Sequence, residues 1–224
     1  MQTSKQIPEV IRILKKHQKE FITPALTEIA ERSNDPFKVL ISCILSLRTK
    51  DATTAKASER LYKLADSPYD MIKLSTKRIS MAIYPVGFYK TKSKRIKGIC
   101  RLLIKRYGGK VPPDFDALLT FKGVGRKTAN IVMVYGFHKH GIPVDTHVHR
   151  VSNRLGWVQT KTPEKTELAL RVLVPKMYWM DLNNLLVQFG QNICRPINPK
   201  CGICPVSRYC DYYRNVYLKK LIQR

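Results

Sequence analysis

The chain has 224 residues, and its 41 Lys and Arg against 16 Asp and Glu give a net charge of +25. This length accommodates one large or two small domains, and 44% hydrophobic residues is ordinary for a folded globular protein. The charge requires an anionic partner, with nucleic acid favoured over an acidic membrane face, and no apolar run approaches the ~20 residues that span a bilayer.

Helical periodicity runs through nearly the whole chain, and strand-like alternation is almost absent. Asp35 and Pro36 are a suitable N-cap and first residue for a buried helix, DPFKVLISCILSL, and Gly108 ends a strongly basic one. The sequence therefore predicts an all-α protein of about ten short helices. In chain order they lie over 7–17, 35–47, 51–65, two within 71–88, 92–107, one from Pro113 or Asp114, 126–138, 145–156, 163–175 and 177–193.

The N-terminal residues lack the apolar core of a secretory signal. We therefore expect a cytoplasmic, nucleoid-associated protein without a membrane segment. In that compartment the six cysteines are expected to be reduced thiols or metal ligands rather than disulfides.

Four cysteines cluster near the C-terminus in the sequence CRPINPKCGICPVSRYC, with the spacing C-x6-C-x2-C-x5-C. Four thiolates on one small loop are typical of a metal site, and zinc and an iron–sulfur cluster both fit. Structural zinc more often uses two close pairs, whereas this loop has one close pair flanked by single cysteines, which favours iron–sulfur. The predicted ligands are Cys194, Cys201, Cys204 and Cys210.

The stretch FKGVGRKTAN predicts a tight turn followed at once by a helix. Glycines at 123 and 125 permit backbone conformations that other residues avoid. The free N–H groups at the start of the helix form a phosphate-binding site, and Lys122 and Arg126 add positive charge beside it. We predict that Gly123, Val124 and Gly125 contact the DNA backbone without reading its sequence.

Lys127 falls in the first turn of that helix, where the helix dipole and neighbouring cations favour a neutral, nucleophilic amine. A phosphate contact is the alternative role. The next carboxylate is Asp145, whose alternative role is a plain N-cap. A helix over 126–137 rises roughly 17 Å, and residues 138–144 span at most roughly 24 Å. The chain is just long enough to return, so we expect Asp145 beside Lys127.

The motifs GVGRKTAN, PVDTHVHRVSNR and the cysteine spacing together resemble the endonuclease III family of DNA glycosylases, in the helix-hairpin-helix superfamily. The resemblance covers roughly residues 25–212. It implies two helical domains flanking a DNA-binding cleft. One is a six-helix domain, 23–130, with the hairpin; the other, 1–22 plus 131–224, carries a [4Fe–4S] cluster on the loop 194–210.

The resemblance also implies the roles of the two candidate catalytic residues. Lys127 would attack C1′ of an extruded damaged nucleotide, expel the base and form a Schiff base. Asp145 would stabilise the positive charge that develops on the sugar. β-Elimination from the imine would then cut the strand 3′ to the abasic (AP) site.

Two positions depart from patterns within the superfamily. The branch that removes adenine from mismatches has a catalytic glutamate where this chain has Cys43, and no acid occurs from Pro36 to Lys50, which disfavours that branch. Where the typical member has a glutamine that fills the gap left by the flipped base, this chain has Arg48. Arginine can also fill the gap and pair with the orphaned base.

Further DNA contacts are expected in two segments. Residues 87–98 carry five cations between Lys90 and Lys97, among them Lys92; the alternative is a solvated basic face. Arg195, in the cysteine loop, is expected to contact phosphate.

The sequence thus predicts a monomeric bifunctional DNA glycosylase and AP lyase of base excision repair that removes oxidised pyrimidines, such as thymine glycol, from damaged double-stranded DNA. Two alternatives stay open. One is a glycosylase for G:T or G:U mismatches, and the other is a non-catalytic helix-hairpin-helix DNA-binding protein.

Overall fold

The computed structural model describes residues 6–18 and 35–222. Within those residues the chain is helical and has no β-strand, so the all-α prediction is confirmed. It divides into two compact units. The hairpin unit is the described part of Pro24–Gly141, and the cysteine unit is the described part of Met1–Thr23 and Ile142–Arg224.

The hairpin unit is built around one buried helix, α2. Asp35 caps it by accepting a hydrogen bond from the N–H of Phe37 at 2.8 Å, and Pro36 occupies the first turn, as predicted. Its side chains are buried on nearly every face, because helices pack around it on several sides. The helices of this unit are α2 (Pro36–Ser46), α3 (Asp51–Leu64), α4 (Pro68–Lys73), α5 (Thr76–Ile83), α6 (Tyr89–Tyr107), α7 (Phe115–Leu119) and α8 (Arg126–Ile131).

The segment Val132–Gly136 continues α8 as a π-helical turn and packs against α2. At Gly136 an added Cβ would lie 3.0 Å from the Cα of Pro36, so the two backbones approach closely. The contacts therefore group residues 131–141 with the hairpin unit, whereas the resemblance to the endonuclease III family implied that they belong to the other domain.

In the cysteine unit, α1 (Ile7–His17) and α9 (Thr146–Leu155) pack against α11 (Trp179–Asn192), and α10 (Pro163–Leu173) packs against α9. Apolar residues on one face of α1 are fully buried in this core, including Ile7, Val10 and Ile11. Beyond α11 the chain turns irregular through the four cysteines, with short turns at Cys201–Ile203, Ser207–Tyr209 and Tyr213–Tyr217 before α12 (Leu218–Ile222).

No helix in the described ranges is both long enough and apolar enough to cross a membrane.

Candidate functional site

The turn between α7 and α8 requires glycine at position 123. Gly123 has a φ of +89°, in the left-handed region that side chains disfavour. A Cβ on Gly123 would also lie 2.5 Å from Cδ and Nε of Arg95, because the Arg95 side chain packs against the turn. Gly125 has an extended backbone with φ −101° and ends the turn as the N-cap of α8. The turn is therefore tight and closed on one side by Arg95.

Val124 was predicted to contact the DNA backbone, but in the structure it is used by the turn itself. Its N–H donates to the carbonyl oxygen of Phe121 at 2.9 Å, and its side chain is buried in the core of the hairpin unit. By contrast, among the described residues the N–H groups of Gly123 and Gly125 have no protein acceptor. Both glycines are exposed, so their N–H groups are the ones that suit a phosphate.

The predicted cations of the hairpin differ in their surroundings. Lys122 is exposed beside the turn. Arg126 is half-buried, and its guanidinium carbon lies 4.9 Å from the ring centroid of Phe115 in a cation–π contact. This contact holds the Arg126 head group over the preceding helix.

Lys127 is half-buried in the first turn of α8, next to the core of the hairpin unit. Burial raises the pKa of the Cys43 thiol to about 12, and the positive charge of Lys127 acts in the opposite direction on the same thiol. The lysine thus lies near a neutral thiol on α2, and α2 itself has no acidic residue. No acid on that helix competes for the amine.

Asp145 is the N-cap of α9. One carboxylate oxygen, Oδ1, accepts from the N–H groups of His147 at 2.8 Å and Val148 at 2.9 Å. The capping role that the sequence left open is therefore present in the structure. The side chain is half-buried, and it keeps its charge directed at the start of a helix, where the dipole stabilises an anion.

Lys92 is not a DNA contact, contrary to the prediction. It is only 3% exposed, and its ammonium donates to the carbonyl oxygens of Leu45 (2.8 Å) and Leu47 (2.5 Å) and to Oγ1 of Thr49 (3.1 Å). Burial, and secondly the charge of Arg95, lower the pKa of Lys92 to about 8. An ammonium with three protein acceptors has no donor left for a phosphate.

Arg48 lies in the loop that Lys92 binds. It is exposed, its φ is +52°, and its guanidinium carbon lies 5.7 Å from the ring centroid of Phe88. Phe88 is itself 62% exposed and has a φ of +58°. Arg48 and Phe88 thus both have a left-handed backbone conformation, and their exposed side chains contact each other on the hairpin unit.

The four predicted ligand cysteines line one apolar pocket in the cysteine unit, together with side chains such as Leu155, Phe189 and Val206. Burial raises the pKa of Cys204 to about 12 and also raises those of Cys201 and Cys210. A bound metal centre favours the ionised form of such thiols, because the thiolate is the form that ligates it.

The residues around this pocket fit an iron–sulfur cluster. Four cysteines provide the four thiolates that such a cluster needs, and they line one pocket together with apolar side chains.

Two arginines that the sequence analysis missed organise this loop. Arg150 donates to the carbonyl oxygens of Gly190 and Cys194, both at 2.9 Å, and Arg154 donates to the carbonyl oxygens of Arg195 (2.6 Å) and Pro196 (2.9 Å). Both lie on one face of α9, four residues apart, which was the available signal. The side chain of Arg195 is exposed at the surface of the loop.

Comparison with known proteins places this arrangement in a class. Residues 41–176 match the family model described as HhH-GPD superfamily base excision DNA repair protein, and residues 194–210 match the iron-sulfur binding domain of endonuclease III. The first match covers more than half of the chain, so the fold and hairpin are those of a helix-hairpin-helix base excision repair protein.

Individual relatives narrow the class. Endonuclease III of Thermotoga maritima is 48% identical over 183 residues, which are 82% of this chain and 86% of that protein. A non-covalent endonuclease III–DNA complex matches with a TM-score of 0.86 and 32% identity over the full length of both chains. A trapped endonuclease III–DNA covalent intermediate matches with a TM-score of 0.82 and 32% identity, over 96% of this chain and 98% of that one.

The chain belongs to the endonuclease III family. It is a bifunctional DNA glycosylase and AP lyase of base excision repair, binds DNA, and carries a [4Fe–4S] cluster.

Proposed function

We propose that Lys127 is the nucleophile of this enzyme and that Asp145 is the carboxylate that assists it. The observation that carries the proposal is the position of Lys127. It follows the glycine turn by two residues, at the half-buried start of α8, beside the neutral Cys43 thiol. A backbone-binding turn and a nucleophilic amine thereby share one short segment.

The chemistry of Lys127 proceeds in two parts. The unprotonated amine attacks C1′ of a nucleotide extruded from the duplex; the bond from C1′ to the base breaks, and the base leaves with that electron pair and takes up a proton. The bond from C1′ to the ring oxygen then breaks, a proton passes from the lysine nitrogen to that oxygen, and an imine remains between Lys127 and C1′. Loss of a C2′ proton then breaks the bond from C3′ to its oxygen, so the strand is cut 3′ to the site. A hydroxyl or a carboxylate cannot form this imine.

Asp145 contributes negative charge to the same reaction. As the bond to the base breaks, positive charge develops on the sugar, and a carboxylate stabilises it. The hydrogen bonds from the N–H groups of His147 and Val148 to Oδ1 hold the short Asp145 side chain in one orientation. The capping role and the catalytic role are therefore compatible.

In this proposal a small set of groups binds the phosphates of the DNA backbone. The N–H groups of Gly123 and Gly125 and the Lys122 ammonium take one phosphate, while Arg195 on the cysteine loop takes another. The exposure of Lys122 and Arg195 supports these roles. Arg126 adds charge from its position over Phe115.

Cys194, Cys201, Cys204 and Cys210 would hold the cluster through their thiolates. When bound, it supplies a rigid cross-link that orders the loop 194–210. Arg150 and Arg154 support the same loop from α9 through its carbonyl oxygens. The cysteines thereby position Arg195, and their role is structural.

The substrates proposed are oxidised pyrimidines of the thymine glycol type in double-stranded DNA. The absence of an acid on α2 argues against the adenine-excising branch, and Arg48 keeps G:T and G:U mismatches open as a second substrate class. The proposal further includes action as a monomer in the cytoplasm, on nucleoid DNA.

The test is strand cutting by an Asp145→Asn variant. Asparagine caps a helix as well as aspartate does, so folding and duplex binding are expected to match the wild type. Cutting of a thymine-glycol duplex is expected to fall by at least about 100-fold, because the negative charge is lost. Cutting by the wild type is measured on a panel of duplexes, each with a single lesion, and these rates are the reference. Wild-type cutting rates in Asp145→Asn would overturn the role of Asp145.

A further inference from the structure

Lys92 differs from the other lysines of α6 in its burial. Lys90 and Lys94, two residues away on either side, are exposed, whereas Lys92 is 3% exposed. A charged group is buried in a protein only when its donors are satisfied. The three N–H bonds of the Lys92 ammonium meet three acceptors, on Leu45, Leu47 and Thr49.

These acceptors lie at the end of α2 and in the loop that follows. The last carbonyl groups of a helix have no partner within the helix and attract cations. α2 ends at Ser46 with no basic residue in its last turn, so Lys92 of α6 supplies the cation from another helix. The ammonium therefore connects α6 to the loop Leu47–Lys50.

That loop has a conformation that needs support. Arg48 has a φ of +52°, a value that non-glycine residues rarely adopt unless the surrounding structure holds them there. The residues on either side of Arg48 provide this support. Lys92 donates hydrogen bonds to the carbonyl oxygen of Leu47 and to the hydroxyl oxygen of Thr49.

The Thr49 hydroxyl forms a second connection. Its Oγ1 accepts the N–H of Gly87 at 3.2 Å in addition to the Lys92 ammonium. At Gly87 an added Cβ would lie 2.6 Å from the carbonyl oxygen of Arg48, so the loop and the segment before α6 are in direct contact. The same segment brings the Phe88 ring to the Arg48 guanidinium.

We propose that Lys92 is a positioning residue for DNA recognition: together with the Thr49 hydroxyl, it holds the loop Leu47–Lys50 so that Arg48 presents its guanidinium to the unpaired base. This inference rests on the proposed role of Arg48 at the gap left by the extruded nucleotide. Lys92 touches no substrate in it and acts only through Arg48.

The experiment measures dissociation constants for thymine-glycol duplexes with each of the four bases opposite the lesion, and for an undamaged duplex. Single-turnover cutting rates at saturating enzyme are measured on the same duplexes. Thr49→Val removes the hydroxyl at nearly constant shape, and Thr49→Ser retains it. Lys105→Met removes an exposed lysine from the same helix and is the charge control. The variants are Lys92→Met, Thr49→Val, Thr49→Ser, Arg48→Ala and Lys105→Met.

We expect Arg48→Ala, Lys92→Met and Thr49→Val each to reduce the preference for lesion duplex over undamaged duplex by about tenfold, the effect of one lost hydrogen-bonding group. In all three variants the difference in affinity among the four opposite bases is expected to become smaller. For Lys92→Met and Thr49→Val, which alter no group that touches DNA in this proposal, the cutting rate at saturation is expected to stay within about threefold of the wild type. Thr49→Ser is expected to behave like the wild type. Lys105→Met is expected to weaken binding to all five duplexes equally, because it removes one exposed positive charge.

Two outcomes would overturn the inference. If Arg48→Ala loses the preference but Thr49→Val retains it, Thr49 and Lys92 do not position Arg48, and the proposed function stands. If Arg48→Ala itself retains the preference, the role of Arg48 is wrong and the inference falls with it. Thr49→Val decides the question even if Lys92→Met fails to fold.

Discussion

Gly123 and Gly125 flank Val124 in the hairpin, yet the structure gives them different constraints. Gly123 has a φ of +89° and packs against Arg95, whereas Gly125 has a φ of −101° and no atom within 4 Å of an added Cβ. A motif read as two equivalent glycines therefore contains one residue required by the fold and one that the fold does not constrain.

The two glycines make a matched pair of variants. Gly123→Ala is expected to lower the free energy of unfolding by about 1–2 kcal/mol, because alanine must adopt a left-handed conformation. Gly125→Ala is expected to change it by less than about 0.5 kcal/mol. Urea unfolding of both variants and the wild type measures the difference. Equal losses at the two positions would show that backbone conformation does not distinguish them.

Residue type was enough to predict some roles and not others. Asp35 at the start of α2 and Gly108 at the end of α6 were predictable, because capping depends on neighbours in the chain. The burial of Lys92 was not, because Lys90, Lys92 and Lys94 look alike in sequence. Only the packing of α6 against the end of α2 decides which of them is buried.

At the scale of elements, the connection between α6 and the end of α2 has a consequence for stability. The pKa of Lys92 is lowered to about 8 from 10.5, first by burial and then by the charge of Arg95. Above pH 8 the folded protein has released a proton that the unfolded chain still holds. Raising the pH through this interval therefore favours the folded state.

Lys92→Met lacks this titrating group. Comparing it with the wild type therefore separates the pH dependence caused by Lys92 from that caused by other titrating groups. We expect the free energy of unfolding of the wild type, minus that of Lys92→Met, to increase between about pH 8 and pH 10. Urea unfolding at several pH values in this interval measures it. A difference that stays constant or decreases would contradict the lowered pKa.

The extent of the elements was predictable where the signals are local. The buried helix 35–47 and the cysteine loop follow from apolar periodicity and spacing. The start of α4 at Pro68, capped by Ser67, was missed because the apolar pattern was traced only from Met71 onward. The inclusion of residues 131–141 in the hairpin unit depends on packing against α2, which no local pattern contains.

At the scale of the whole molecule, the net charge of +25 determines how the protein associates with DNA. Each phosphate that a cation neutralises releases a counterion, so affinity falls steeply with salt. Exposed Lys122 is proposed to contribute one such contact, and buried Lys92 contributes none. Charge alone does not separate these two lysines, whereas their exposure does.

The salt dependence of duplex binding tests this distinction. Lys122→Ala is expected to reduce the slope of log K against log salt by about one relative to the wild type, uniformly across DNA sequences. Lys92→Met is expected to leave the slope unchanged. Fluorescence anisotropy titrations over a range of salt concentrations measure both slopes. An unchanged slope in Lys122→Ala would remove Lys122 from the set of phosphate contacts.

The central claim is that the Lys127 amine forms a covalent imine with the sugar of the damaged nucleotide. Incubating the enzyme with thymine-glycol duplex and borohydride reduces such an imine to a stable amine, and peptide mass spectrometry then locates it. The account predicts a trapped complex with the sugar remnant on Lys127, undiminished in Lys122→Ala at saturating enzyme and lost in Lys127→Ala. An adduct on any other residue, or equal trapping by Lys127→Ala, would contradict it.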